Sequence, residues 1–297
     1  MLYIEPNAGV EPVVKVIQQA RHSVEINAWL IDDRAIINAI RSDARRGVNV
    51  QVIAESLPQG VPYMRVVREY QLLAAAGAQL RWAPPRFTHR FAQDHAKYIV
   101  DDNGKGPALI STANFTYAGF HKNRDYLWIS HNPTVARVLA KVFQADWNRR
   151  HAGAVARSVP NLVISPGGEK ALIEVIEQPG PIDMQSMEFG YIPRINYVFE
   201  RKGKLARIIV PADLSAYDRG NLAPLIHHGV QVRFMNKPYP HAKMLVGNRL
   251  AFIGSQNISW VSLHHNREVG IILRGRAVKM LRQQFDRDWK TSRPMQK

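Results

Sequence analysis

The chain repeats itself, and a repeat of roughly half its length constrains the architecture before any single residue is considered. Near residue 77 it reads Gly77-Ala78-Gln79-Leu80-Arg81-Trp82, and near 229 it reads Gly229-Val230-Gln231-Val232-Arg233-Phe234. Each is an alternating apolar/polar strand behind a glycine that can close a helix. Each leads through a proline-containing loop into His-Ala-Lys, at His95-Ala96-Lys97 and at His241-Ala242-Lys243. An apolar run and a turn follow, then a second strand ending at Ser111-Thr112-Ala113-Asn114 or Gly254-Ser255-Gln256-Asn257. Asp125 and Glu268 each stand 11 residues after their asparagine, inside Asn123-Arg124-Asp125 and Asn266-Arg267-Glu268. Both halves open alike, with Tyr3-Ile4-Glu5-Pro6 and Val163-Ile164-Ser165-Pro166, and close alike, with Phe143, Asp146, Trp147 and Phe285, Asp288, Trp289.

Strands at Val24–Leu30 and Ile182–Phe189, following helix-like stretches at 11–21 and 168–177, predict an α/β fold. The expectation is two pseudo-symmetric lobes, each a mixed β-sheet flanked by helices. Small residues and a proline around Ala152–Pro160 place the boundary there, giving 1–155 around His95 and Lys97 and 156–297 around His241 and Lys243. No apolar run reaches about 18 residues, so no transmembrane helix is expected. The first residues lack a basic stretch followed by an apolar one, which makes the cytoplasm the expected location, or the periplasm or exterior if a signal peptide has been removed. The absence of cysteine excludes disulfides, zinc–thiolate sites and a cysteine nucleophile.

The two motifs resemble those of the phospholipase D superfamily, whose signature is H-x-K-x4-D, then G-S-x-N, then an acidic residue. The resemblance covers nearly the whole chain. It implies a phosphodiesterase that works through a phosphohistidine, with no metal and no other cofactor, and with one chain able to supply a complete site as a monomer. It implies that His95 is the nucleophile and His241 the general acid and base, the reversed assignment being the alternative that the symmetry of the motifs allows. Two departures stand out. Asp102 fills the aspartate position of the first motif, but Asn248 fills it in the second; the resemblance implies that this position is structural. Gly254-Ser255 is intact, whereas the first half has Ser111-Thr112.

The chemistry explains why these residue types recur. A phosphodiester carries a negative charge that repels anionic nucleophiles, and a neutral imidazole avoids that repulsion while splitting one hard step into two. A second imidazole protonates the leaving oxygen and later activates the acceptor, assistance that contributes about 10²–10⁴ in rate. Histidine suits both tasks because its ordinary pKa of roughly 6.5 lies near working pH. Lys97 and Lys243 sit two residues beyond their histidines, on one face of a strand. With Asn114 and Asn257 they are the candidates for holding the non-bridging oxygens. Asp125 and Glu268 are the candidates for fixing the tautomer of a histidine, the alternative being surface salt bridges with Arg124 and Arg267.

The substrate class rests on weaker signals. Forty Lys and Arg against 24 Asp and Glu give a net charge of +16, which attracts polyanions. Nucleic acid is the favoured partner, and a nuclease on DNA or RNA the favoured activity. The insertion before the first motif alternates basic and aromatic residues: Arg86, Phe87, His89 and Arg90 are candidate substrate contacts, with Thr112 and Ser255. Anchoring of the loop to the core is the other reading of Phe87 and Phe91. An anionic phospholipid is the alternative partner, for a phospholipase D or cardiolipin synthase-like transphosphatidylase; the apolar loop Leu57–Met64 can touch lipid. A third class is a nucleic-acid-binding protein that has lost catalysis, which Asn248 invites and the survival of both histidines, lysines, asparagines and acids opposes.

Overall fold

The computed structural model of the chain describes residues 1–295. Two sheets form, one from each half. The first runs, from edge to edge, through Leu2–Ile4, Tyr126–Ser130, Ala108–Ser111, Tyr98–Asp101, Ser23–Ala28, Asn49–Ala54 and Gln79–Trp82. The second runs through Leu162–Ser165, Glu268–Arg274, Leu250–Gly254, Lys243–Val246, Ile182–Ser186, Ala206–Pro211 and Gln231–Met235, with Arg293–Pro294 added at the far edge. Position for position, the strand order is the same, so the sequence repeat is a repeat of topology. In both sheets the last three repeated strands are parallel and the others antiparallel.

Parallel neighbours require crossovers, and helices supply them. Arg34–Arg45 and Tyr63–Ala75 connect the parallel strands of the first lobe; Pro193–Lys202 and Ala216–His227 do so in the second. The helix Arg34–Arg45 starts where Asp33 accepts from the amides of Ala35 and Ile36, and buries Ile36, Ile37 and Ile40 on one face. Glu69, buried on Tyr63–Ala75, accepts a hydrogen bond from the Ile31 amide at 2.8 Å. The helices expected at 11–21 and 168–177 occupy Glu11–Gln19 and Glu169–Ile176. The strands expected to reach Leu30 and Phe189 end earlier, at Ala28 and Ser186, because the chain then leaves the sheet: Ile31 bridges to Phe115 and Phe189 to Ile258.

Each lobe has its own outer core, but the largest apolar cluster runs across both. It takes Tyr98, Ile110, Tyr126 and Phe143 from the first half and Met244, Ile253, Ile271 and Phe285 from the second. Phe143 and Phe285 lie on the equivalent helices Pro133–Trp147 and Arg276–Thr291 and are fully buried. The lobes are therefore joined by a shared interior, and the two histidine motifs lie beside it.

Candidate active site

Two short ladders bring the halves together. Asp94 bridges in parallel to Arg267, and Tyr239–Pro240 pairs in parallel with Asn123–Arg124. Each ladder thus joins the residues before one lobe's histidine to the residues before the other lobe's acid. One step further along each ladder, His95 meets Glu268 and His241 meets Asp125. The distances follow: His95 Nδ1 lies 3.0 Å from Glu268 Oε2, and His241 Nδ1 lies 3.0 Å from both carboxylate oxygens of Asp125. The acids are fully buried and each histidine is 8% exposed. A carboxylate at Nδ1 holds the proton there, which leaves the Nε2 lone pair as the reactive end of the ring.

The arginines next to the acids make the same exchange. Arg267 Nε and Nη2 donate to Asp146 at 2.7 and 3.0 Å, and Arg124 Nε and Nη2 donate to Asp288 at 2.8 and 3.0 Å. These bidentate pairs are buried and cross between lobes. Each arginine also donates to a carbonyl at the start of its own lobe, that of Ser165 or Glu5. The alternative in which Arg124 and Arg267 pair with the neighbouring acids is thereby excluded. Asp146 and Asp288 are the partners that sequence reasoning left without a role; their matched places in Phe-x-x-Asp-Trp were the available signal.

Lys97 and Lys243 lie behind their histidines. Lys97 Nζ donates to the His95 carbonyl and lies 5.8 Å from the centre of the Trp29 ring. Lys243 Nζ donates to the His241 carbonyl at 2.7 Å and is 3.3 Å from His241 Nε2. Burial pushes both ammonium groups below the ordinary lysine pKa. Burial, reinforced by Lys97 and Lys243, also pushes His95 down to about 4 against the opposing pull of Glu268, and burial lowers His241. Burial opposes ionisation of Glu268, but His95 and Lys97 outweigh it and hold this carboxyl below its usual range. The site gathers two lysines and two imidazoles around two buried carboxylates.

Both histidines open on one cleft of about 650 Å³, lined also by Asn114, Asn257, Trp29, Arg90, Tyr191 and Trp260. The side-chain oxygens of Asn114 and Asn257 are buried without a partner among the described residues. The cleft also receives Glu188, which no sequence signal marked. Burial raises its pKa, although the Ser259 hydroxyl and Lys243 favour its ionised form.

Several expected substrate contacts lie elsewhere. Thr112 and Ser255 are fully buried: Thr112 Oγ1 donates to Asp125, and Ser255 Oγ accepts from the Val269 amide at 2.9 Å, so both brace the acid-bearing strands instead of facing the cleft. Phe87 is 4% exposed and its ring lies beneath the Arg86 and Arg267 guanidiniums, 4.6 and 4.4 Å from its centre, which prevents stacking on a base. Arg86 is spent on Asp146 and on the Arg150 carbonyl, because it shares the carboxylate that Arg267 already uses. His89 is exposed and its Nδ1 accepts from the Phe91 amide at 3.2 Å; only Arg90 of that group lines the cleft.

The departure at Asn248 has a local cause. Asp102 accepts from the amides of Arg21, His22 and Ser23 at 3.1, 2.7 and 3.1 Å, fastening the start of Ser23–Ala28. Strand register makes Arg21 and Ser23 equivalent to Pro179 and Pro181. Prolines have no amide hydrogen to offer. Asn248 instead donates its Nδ2 to the Pro179 carbonyl at 3.0 Å. The side chain changes from acceptor to donor because its surroundings do.

Comparison with known proteins places this geometry. The family described as "Cardiolipin synthase, PLD-like domain" matches residues 13–147 and 195–289. An uncharacterized protein of Streptococcus mutans is 30% identical over 115 residues, which is 38% of this chain and 23% of that protein. Phosphatidylserine synthase from Haemophilus influenzae superposes with a TM-score of 0.72 at 12% identity, over 99% of this chain and 87% of that one. Polyphosphate kinase from Porphyromonas gingivalis does so with a TM-score of 0.70 at 15% identity, over 96% of this chain and 49% of that one. This chain therefore spans about a quarter of the curated relative and about half of the kinase; at such identities the structures show a shared fold. The matched family covers most of both halves, and the chain belongs to the phospholipase D superfamily.

Proposed function

We propose that the protein cleaves phosphodiesters by way of a phosphohistidine, without a metal, and that nucleic acid is its substrate. The observation that supports the chemistry is the exchange of acids between lobes, which gives two oriented imidazoles facing one cleft, His95 acting in its neutral form and His241 in its protonated form. His95 attacks phosphorus through Nε2, and His241 hands a proton to the departing oxygen. Bond making at His95 and bond breaking at the leaving alcohol exchange one ester for one phosphoramidate. Water then reverses the exchange, with His241 taking its proton. Lys97, Lys243, Asn114 and Asn257 stabilise the charge on the non-bridging oxygens. A single chain carries both histidines and both acids, so a monomer suffices.

The net charge of +16, and a cleft walled by Trp29, Tyr191, Tyr217 and Trp260 with Arg90 on one side, support a polyanion whose bases stack. A lipid reading has one observation in its favour: Leu57 is exposed on the loop whose Gln59 lines the cleft, and Tyr63 and Met64 are exposed at the start of the helix that follows. The test is a degradation assay in EDTA with single-stranded and duplex DNA, RNA, and phospholipid vesicles, with His95→Ala as control. Nucleic-acid cleavage that the variant lacks supports the proposal; headgroup release with nucleic acid untouched replaces it with the lipid reading.

A further inference from the structure

The lobes match closely, and one mismatch at the cleft exchanges an apolar side chain for an acid. Asn27 pairs with Tyr98, and Gln185 pairs with Met244. Tyr98 and Met244 each follow the motif lysine, so Asn27 and Gln185 are equivalent. Three residues on, the chain reaches Leu30 in the first lobe and Glu188 in the second. The bridges from Ile31 to Phe115 and from Phe189 to Ile258 give the same alignment independently. Leu30 is buried and apolar, whereas Glu188 lines the cleft with His95, His241, Asn114 and Asn257.

A carboxylate in a phosphate-binding cleft repels the very group the cleft must hold. Its presence on one side only calls for a partner on that side. The Ser259 hydroxyl and Lys243 favour its ionised form, and Asp218 and Glu268 oppose it. Lys243 disfavours a second cation there, and the carboxylate disfavours a second anion. A neutral hydrogen-bond donor meets neither objection. Glu188 belongs to the same lobe as His241, which on the proposed assignment serves the leaving alcohol.

We infer that Glu188 is a specificity residue that accepts a hydrogen bond from a second hydroxyl on the leaving alcohol, next to the ester oxygen. The substrate class is thus a phosphodiester of a vicinal diol. A ribose has that arrangement, and so does glycerol; a deoxyribose and a simple alkanol do not. This inference rests on the proposed phosphohistidine reading and narrows its substrate.

The test compares kcat/KM for the dinucleotides UpU and dTpdT, and for vesicles of phosphatidylglycerol and phosphatidylpropanol, using the full chain, Glu188→Gln, Glu188→Leu and His95→Ala. The expected result is that the wild type prefers the diol member of a pair by about 10–100-fold, the usual range for a hydrogen bond to a charged group. Glu188→Leu should abolish the preference and Glu188→Gln should retain part of it. Preference within the nucleotide pair identifies ribose as the source, and preference within the lipid pair identifies glycerol. Turnover that depends on His95 without any preference, or a preference unaltered in Glu188→Leu, overturns the inference while leaving the phosphohistidine reading intact. Absence of His95-dependent turnover on all four substrates overturns both.

Discussion

Glu268 belongs to the second lobe, yet its carboxylate lies 3.0 Å from Nδ1 of His95 in the first. A histidine and its acid that act as a unit give non-additive losses when removed. Glu268→Gln is expected to lower kcat by about 10²–10⁴, the range typical of acid–base assistance. In His95→Ala the same change should add almost nothing. Single-turnover kinetics of the two single variants and the double variant measure this; additive losses would mean that Glu268 acts elsewhere.

The pH profile should be bell-shaped and acidic. His95 must be neutral to attack, so activity is lost as pH falls through its pKa of about 4. His241 must carry a proton for the leaving group, so activity is lost as pH rises through a pKa lowered from 6.5. Because kcat/KM reports the free protein, its two limbs should fall on those sides of an optimum below neutrality. Lys97→Met removes a cation that lowers the His95 pKa and should move the acid limb upward. An alkaline limb well above pH 8 in the wild type would contradict the role given to His241.

The crossed arginine pairs should be sensitive points of the lobe interface, beside the apolar interior that the lobes share. Arg267→Met leaves the buried Asp146 with Arg86 as its one remaining arginine partner. Removing one partner of a buried pair typically costs about 3–5 kcal/mol, and the surviving Arg86 bond makes that the upper limit here. Urea denaturation should show a loss of that order for Arg267→Met and a smaller one for Arg267→Met combined with Asp146→Leu.

Asn248→Asp should leave kcat and the pH profile unaltered, since the residue bonds to Pro179 outside the cleft. It should cost about 1 kcal/mol of stability at most, because a carboxylate cannot donate to that carbonyl. Asp102→Ala, which leaves three amides without their acceptor, should cost more. A shift of the pH optimum in Asn248→Asp would tie this position to the proton-transfer machinery.

Glu69 should make stability fall with rising pH. Burial raises its pKa from 4.5 to about 8, so the folded state keeps a proton that the unfolded chain has lost. Its stabilisation is fully present below pH 4.5 and disappears as pH climbs towards 8. Glu69→Gln keeps an acceptor for the Ile31 amide and removes the titration. Thermal melts should show the variant gaining on the wild type between pH 5 and 9, with no gain below pH 4.5.

The topology was legible because a duplicated pattern of strands, turns and motif residues has one economical solution, two lobes alike. The acids, set at equal distances from their asparagines, announced themselves. Their exchange between lobes did not, since sequence spacing carries no information about which lobe's histidine an acid will meet. Arg86 and Phe87 misled for a related reason. Alternating basic and aromatic residues suit a nucleic-acid contact, but here they pack over a buried Arg267–Asp146 pair that only the folded chain assembles. Glu188 was hidden because it lies outside both repeated motifs and its equivalent in the first half is the apolar Leu30.

The exchange of acids also bears on how the protein is made. A ribosome delivers the first half with His95, Lys97, Asn114 and Asp125 in place, while Glu268 is still 173 residues away from His95. The second half supplies His241 later as well, 241 − 95 = 146 residues after His95. Until Glu268 has been made, His95 has no carboxylate at its Nδ1, and until His241 has been made Asp125 has no imidazole, so neither lobe alone completes a histidine–acid pair.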